Sequence, residues 1–311
     1  MLFAYAPDGA KLRQLPTDAD LSGAIWVDLY RPMPDQVARV TALGVEVPTL
    51  ADMEEIELSN RLYREGSADY LTVVLPGLSE SRAPISGPVC FVLTPDRLVT
   101  VRHHAPRPFE TYPQRAERVG PGCGDPRRVF LSLGEEIIGR LADLLEASGK
   151  TLDGIVRGVV DDSGAALSEA LRAASRESDL VSRVRLSLLT LERAISYFGQ
   201  EVEDHALRAV VKGLMRDIRA LEVHGDFLTN RIAMASDLTL GMISVEQNKT
   251  VKIVSVVAVI FLPPTVIASA YGMNFANMPE LDWRWGYPMA LGLMLASAVG
   301  TYVFFKWKRW L

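Results

Sequence analysis

Apolar and polar residues follow two different periods along this chain. Over the first 125 or so positions, short runs rich in β-branched and aromatic residues occur at Leu2–Ala6, Ile25–Leu29, Tyr70–Pro76, Val89–Thr94 and Arg97–His103. Pro and Gly punctuate them, which predicts strands. Between Met33 and Leu62 the pattern is more helical and includes the acidic run Asp52, Glu54, Glu55 and Glu57. The turn-rich stretch Gly120–Pro126 (GPGCGDP) predicts a domain boundary. From Phe130 the period becomes helical: Phe130, Leu133, Ile137, Leu141, Leu144, Ser148, Leu152, Ile155 and Val159 recur at steps of three and four. Asp161-Asp162-Ser163-Gly164 breaks that pattern, and a second helix follows with Leu171, Ala174, Val181, Leu188, Leu191, Ile195 and Phe198 apolar. A third begins near His205 with Leu207, Val211, Leu214, Ile218, Leu221, Leu228, Ile232, Ala235 and Met242 at heptad-like spacing. No proline interrupts it before Pro263, so a helix continuing to about Ala270 would be roughly 100 Å long. A stripe that long needs partner helices, which predicts an oligomeric stalk.

Two segments near the end are apolar without interruption. Ile253–Ala270 runs 18 residues without a charge and Tyr287–Phe305 runs 19, close to the length that spans a hydrocarbon core. Lys249 and Lys252 precede the first; Lys306, Lys308 and Arg309 follow the second; the loop between carries Glu280, Asp282 and Arg284. The positive-inside rule then puts both termini in the cytoplasm. Trp283, Trp285, Tyr287, Trp307 and Trp310 fall where interfacial aromatics belong. Met1–Ala10 lacks the basic and apolar regions of a secretory leader, so none is expected. The expected organisation is an α+β cytoplasmic domain over residues 1–125, a helical hairpin over 126–204, a stalk helix over 205–252, membrane helices over 253–271 and 287–305 joined by an outer loop at 272–286, and a basic tail at 306–311.

Charge sharpens this picture. The formal net charge is −5, but residues 249–311 hold six basic and two acidic side chains, a net +4 that leaves −9 on residues 1–248. An acidic body on a basic, apolar tail is not a nucleic-acid binder. Cys90 and Cys123 are too few for a disulfide framework or a zinc finger and are expected to be reduced thiols. Ser148-Gly149-Lys150-Thr151 ends like a phosphate-binding loop, but position 144 is Leu where its first Gly belongs. His103-His104 is the one histidine pair and has no third ligand nearby in sequence. No arrangement of nucleophile and base is present, so an enzyme is not expected.

Turned at 100° per residue, Val251, Ser255, Ala258, Leu262, Thr265 and Ser269 share one face of the first membrane helix with Asn248. Polar side chains in lipid face a bundle interior or a watery path, and helix packing through small residues gives the same pattern. Spacing alone leaves both open.

Phe261–Thr265 (FLPPT), Tyr271–Phe275 (YGMNF), Met278–Leu281 (MPEL), Gly286–Pro288 (GYP) and Lys306–Leu311 (KWKRWL), with Val245–Asn248 (VEQN) and Trp26–Leu29 (WVDL) upstream, strongly resemble the CorA family of divalent-cation channels. The match is specific from about residue 240 onward and diffuse before it, with the same order of elements. The resemblance implies a homopentamer, funnel-shaped, with a cytoplasmic αβα domain, long stalk helices, a first membrane helix lining the pore and a second facing lipid. Gly272, Met273 and Asn274 would form the selectivity filter, Asn274 as a ring of amide oxygens. Mg²⁺ loses water reluctantly, and neutral amides can hydrogen-bond a hydrated ion. Gly272 would permit a sharp exit from the helix. Asn248 and Thr265 match the family's lower polar pore positions. Val251, Val254 and Leu262 match its hydrophobic constriction, where larger Met or Leu is frequent. Ser255, Ala258 and Ser269 complete the lining, with Glu280 and Asp282 at the outer mouth and Lys306, Lys308 and Arg309 as a basic ring. Regulatory Mg²⁺ between cytoplasmic domains is implied, for which Asp52, Glu54, Glu55, Asp217 and Asp237 are available carboxylates.

The expectation is thus a passive inner-membrane channel for Mg²⁺, with Co²⁺ or Ni²⁺ also passing, driven by membrane potential, without an organic cofactor, and partnered by itself, divalent cations and lipid. The alternative within the superfamily is a zinc transporter, whose branch usually departs from Met at the position of Met273. A different class, a membrane-anchored scaffold or sensor without conduction, would need no polar stripe.

Overall fold

The structure, a computed structural model, describes residues 1–55, 61–161, 165–273, 278–279 and 283–308. It divides into two compact units: Met1–Arg157 with Arg172–Ala235, and Gly158–Leu171 with Ser236–Leu311.

The first unit contains a mixed sheet of β1 (Leu2–Asp8), β2 (Lys11–Gln14), β3 (Trp26–Tyr30), β4 (Leu62–Glu65), β5 (Ala68–Leu78), β6 (Pro84–Leu93) and β7 (Leu98–Arg102). Their order is β2-β1-β3-β7-β6-β5-β4, and only β3 and β7 are parallel. The five apolar runs all lie on strands. Two edge strands, β2 and β4, were not expected. Their sequences, KLRQ and LYRE, show little apolar alternation because their side chains are exposed or half-buried. They exist because two-residue turns return the chain onto β1 and β5, with Gly9 and Gly66 at φ 62° and 59°, where a side chain would be strained. The helical expectation over Met33–Leu62 contracts to α1 (Pro34–Thr41) and α2 (Leu50–Glu54); Glu57 lies outside the described residues.

Strand alternation sorts side chains into two layers. Val27, Leu29, Val99, Val101, Cys90 and Val92 pack with Val40 of α1 and Met53 of α2. Trp26, Phe91 and Tyr5 join an aromatic cluster with Phe109 and Tyr112 of α3 (Pro108–Arg115) and Phe130 of α4 (Pro126–Asp161). Phe130 in turn meets Phe198 of α5 (Ala165–Gln200), with ring centroids 5.1 Å apart. The result is an α-β-α layering.

One charged pair lies inside it. Asp28, 1% exposed, and Arg102, 4% exposed, face each other across the parallel β3–β7 pair. Arg102 donates through Nη2 to Asp28 Oδ2 at 2.9 Å and through Nε to Oδ1 at 3.1 Å. The Thr100 hydroxyl donates to the same carboxylate at 2.8 Å and accepts from Trp26 Nε1 at 3.0 Å. The remaining guanidinium edge donates to the His104 carbonyl, and its faces cover Tyr30 and Phe109. Every polar atom of the pair therefore has work in the fold, which is what allows two charges to be buried.

α4 starts directly after the Gly120–Asp125 turn. Its inward stripe runs through Ile137, Leu141, Leu145, Ser148 and Leu152, so Leu145 rather than the expected Leu144 is buried. Steps of four and three satisfy a period of 3.6 in either order, and the neighbouring helices choose. α6 (His205–Tyr271) is one continuous helix begun by Asp204, whose carboxylate accepts from the Ala206 amide at 2.8 Å. In the first unit it buries Leu207, Val211, Leu214, Ile218, Leu228, Ile232 and Ala235, but leaves Val223, Phe227 and Met234 exposed at 70, 54 and 71%. In the second unit lie the rest of α6 and α7 (Gly286–Trp307), each long and apolar enough to cross a membrane.

Asp28→Ala strands the Arg102 charge in the core and is expected to lower stability by about 3–5 kcal/mol, whereas Asp28→Leu with Arg102→Met costs much less. Urea unfolding of the detergent-solubilised chain, followed by tryptophan fluorescence, measures both; equal losses would refute the role given to the unpaired charge.

Candidate functional site

The polar face of α6 is built from hydroxyls that have already spent their protons. Ser255 Oγ donates to the Val251 carbonyl at 2.8 Å and Thr265 Oγ1 to the Phe261 carbonyl at 2.7 Å. Bonds of this i to i−4 kind satisfy the donor within the helix and leave the oxygen lone pairs outward. Such a surface accepts hydrogen bonds, as the water shell of a cation requires. Pro263 and Pro264 lie within the same helix and supply no N–H, so the carbonyls of Val259 and Ile260 lack their usual main-chain donors. α6 nonetheless continues to Tyr271.

Asn248, Val251, Val254, Ser255, Ala258, Leu262, Thr265 and Ser269 are all exposed in the chain. So are Ile253, Val257, Phe261 and Val266 on the remaining circumference, so exposure by itself does not select the pore face. Val256, 4% exposed, is the buried residue of this segment. Asn248, Val251 and Ser255 also border a cleft of about 610 Å³ together with Phe305 of α7 and Lys308 just beyond it.

At the end of α6 the Gly272 amide donates to the Ala268 carbonyl at 2.9 Å. Gly272 is not in the left-handed region. What favours glycine there is crowding, because a Cβ would lie 3.1 Å from the Ala268 oxygen. Met273 is 47% exposed. Asn274, Glu280, Asp282 and Arg309 lie outside the described residues. Lys306 closes α7, and Lys308 follows with its Nζ 5.7 Å from the centre of the Trp307 ring.

The candidate regulatory acids are not brought together. Asp52 accepts from the Thr49 hydroxyl at 2.7 Å and amide at 2.8 Å, forming the N-terminal cap of α2. The Thr49 hydroxyl and amide hold that carboxyl below its ordinary range. Glu54, Glu55, Asp217 and Asp237 are exposed, and Asp217 lies 3.6 Å from Arg216. Among the described residues no three His, Cys, Asp or Glu side chains converge as metal ligands.

Other motifs take structural roles. Ser148 of the phosphate-loop-like tetrad is buried within α4. Cys90 and Cys123 are free and buried, and burial pushes the Cys90 thiol up to about 12. His104 is 2% exposed and its Nε2 donates to the Leu75 carbonyl at 2.9 Å. It fills a slot between Gly77 and Gly87, where a Cβ would come within 2.7 and 3.0 Å of the ring. Burial lowers its pKa from 6.5 to about 4, against the opposing effect of the Leu75 carbonyl. His104 is thus a packing residue. Two features escaped the sequence reading. The Asp28–Arg102 bond was signalled only by a carboxylate in an apolar run, and the exposed Val223, Phe227 and Met234 were masked by the stronger stripe beside them.

A family model described as CorA-like Mg²⁺ transporter protein matches residues 22–309. The magnesium transport protein CorA of Pasteurella multocida is 35% identical over 316 residues, and that of Mannheimia succiniciproducens 33% over 317, each alignment covering 100% of both chains. Among solved structures, the complete CorA magnesium transporter from Methanocaldococcus jannaschii aligns with a TM-score of 0.76 over 100% of this chain and 99% of that one. At 15% identity that likeness is one of fold.

Because His104 is neutral when folded and titrates near 6.5 when unfolded, its contribution is complete above pH 6.5 and is lost as pH falls toward 4. The expected loss is about 3 kcal/mol. Urea midpoints between pH 7.5 and 4.5 should shift more for the native chain than for His104→Gln; identical slopes would show that His104 does not carry the effect.

Proposed function

The chain belongs to the family of CorA-like Mg²⁺ transporter proteins, and from that premise we propose that it is a passive Mg²⁺ channel of the inner membrane, with Co²⁺ and Ni²⁺ also permeating. The observation that carries this reading is the pair of back-bonded hydroxyls, Ser255 and Thr265, on a helix apolar enough to cross a membrane. Five copies of α6 surround the path, and α7 faces lipid. Both termini are cytoplasmic. A hydrated ion entering from outside meets a field of negative potential from Glu280 and Asp282. It then exchanges second-shell hydrogen bonds with the Gly272-Met273-Asn274 filter, where the Asn274 amide oxygens accept from coordinated water. Below lie the hydroxyl of Thr265, the constriction of Leu262, Val254 and Val251, with Ala258, Ser255 and Ser269 on the same face, and the amide of Asn248. Lys306, Lys308 and Arg309 ring the inner end.

The driving force needs no nucleotide. At ~2.3 kcal/mol per elementary charge per 100 mV, a divalent ion gains about twice that on moving to a negative interior. The constriction is apolar, so it opposes conduction by dewetting when narrow. Val251 and Val254 are smaller than Met or Leu, so this gate closes over a shorter radial reach.

The exposed Val223, Phe227 and Met234 of α6 support a homopentamer, because large apolar side chains on a stalk helix have a use when a second copy covers them. Regulation fits the same assembly. An inhibitory Mg²⁺ held between subunits would draw on Asp52, Glu54, Glu55, Asp217 and Asp237 as the candidate carboxylates.

Proteoliposomes with an imposed inside-negative potential should take up Mg²⁺ without a proton gradient, and Asn274→Ala should reduce that flux by at least about tenfold while the pentamer persists on size exclusion. Zn²⁺ uptake that requires a proton gradient would replace this reading with zinc transport, and absence of flux for every divalent ion would leave a scaffold. A separate check is cysteine labelling in the same vesicles: Leu262→Cys should react with a charged aqueous thiol reagent, and Val256→Cys, buried against its neighbours, should not.

A further inference from the structure

Away from the membrane segments, the first unit contains a cleft of about 420 Å³ between α3 and α4, within the size range of small-molecule pockets. Its charge runs against that of the surrounding chain. Residues 1–248 carry a net −9, yet four arginines line this cleft against three acids. Arg107, Arg115 and Arg118 approach from α3 and its two ends, and Arg140 from α4.

Among the described residues, one of these acids is ion-paired with one of these arginines. Glu136, 9% exposed, accepts from the Thr111 hydroxyl at 2.7 Å and from Arg115 Nη1 at 2.9 Å. Both bonds end on Oε1, and they fix Arg115 at the cleft wall. Arg118 has only its sequence neighbour Glu117, at 3.7 Å, and stays 82% exposed. Among the described residues, Arg107 and Arg140 form no ion pair. Glu135 and Asp143 are exposed. On α4, Glu136, Arg140 and Asp143 share one face, since steps of four and three return to the same side. Gly139 lies beside them, and no atom is within 4 Å of where its Cβ would be, so the floor of the cleft is open there.

Guanidinium groups present paired donors that match the oxygens of phosphate. We propose that this cleft binds a small phosphate-bearing anion, with Arg107 and Arg140 supplying free guanidinium donors and Arg115 held ready by Glu136. The site is independent of the ion path, and its occupancy is readable without any transport measurement.

The test is isothermal titration calorimetry on the full-length chain in phosphatidylcholine nanodiscs, whose zwitterionic headgroups avoid competition. Inorganic phosphate, pyrophosphate and AMP are titrated separately, and the tightest of them tells an inorganic from a nucleotide source. Saturable binding is expected, weakening several-fold as salt rises from about 50 to about 200 mM because exposed charges are screened. Arg107→Gln with Arg140→Gln should weaken it by about tenfold or more. Gly139→Leu should do the same by filling the floor, without changing charge and in a helix that tolerates Leu better than Gly. Absence of saturation with all three anions, or undiminished binding in either variant, overturns the proposal. Loss of the oligomer in the arginine variant, with no anion binding by the native chain, also overturns it and assigns the cleft to a subunit contact.

Discussion

Inside hydrocarbon, a main-chain N–H or C=O without a partner costs several kcal/mol, and side chains that donate must donate to something. That constraint governs the membrane segments of this chain. α6 and α7 answer it by being helices, and the hydroxyls on them answer it by bonding backward: Ser255 and Thr265 on α6, Ser297 and Thr301 on α7. The device solves the donor side only. It leaves outward lone pairs on a helix otherwise faced with Val, Ile, Leu and Phe, and in the proposed channel a hydrated cation would supply the donors those lone pairs lack. Pro263 and Pro264 press further in this direction, since they free two carbonyls as well. One solvation rule thus produces both a helix that survives in lipid and a surface suited to an ion with its water.

The sheet domain faces the opposite problem, which is how to keep charge in a dry interior. It buries Asp28 and Arg102 and spends nearly every donor and acceptor around them, through Thr100, Trp26 and the His104 carbonyl. The pair crosses the single parallel junction of the sheet, where evenly slanted bonds are slightly weaker per residue than antiparallel ones. A bidentate side-chain bond at that junction also fixes its register, because a slip of one residue would turn Asp28 to the other face. His104 is held nearby as a neutral ring by the absence of side chains at Gly77 and Gly87.

The proposed assembly gives a use to two features of the single chain. Val223, Phe227 and Met234 stand exposed on α6, and the acids proposed for metal regulation are scattered rather than gathered. In the proposed ring of identical copies, one symmetry operation would supply both an apolar partner for that stripe and further ligands alongside those acids.

How much of this was legible beforehand depended on the kind of physics involved. The five principal strands, the three long helices and the two membrane candidates are written in periodicity and in runs of uncharged residues, because burial on one face or in lipid selects side chains at each position. Membership of the CorA-like Mg²⁺ transporter family was legible from FLPPT, YGMNF and KWKRWL, short motifs that no packing period explains. Edge strands β2 and β4 were not legible, for KLRQ and LYRE show little apolar alternation; main-chain pairing places both, and contacts such as Tyr63 on Tyr70 and Arg64 on Asp69 are set by the fold. Tertiary structure alone decided that Leu145 rather than Leu144 faces inward, that Asp28 finds Arg102 across 74 residues, and that Glu136 holds Arg115 at the edge of an arginine-lined cleft. Periodicity reports which face of an element is buried; it carries no information about which partner meets it there, and partners decide where charge can be buried or left free.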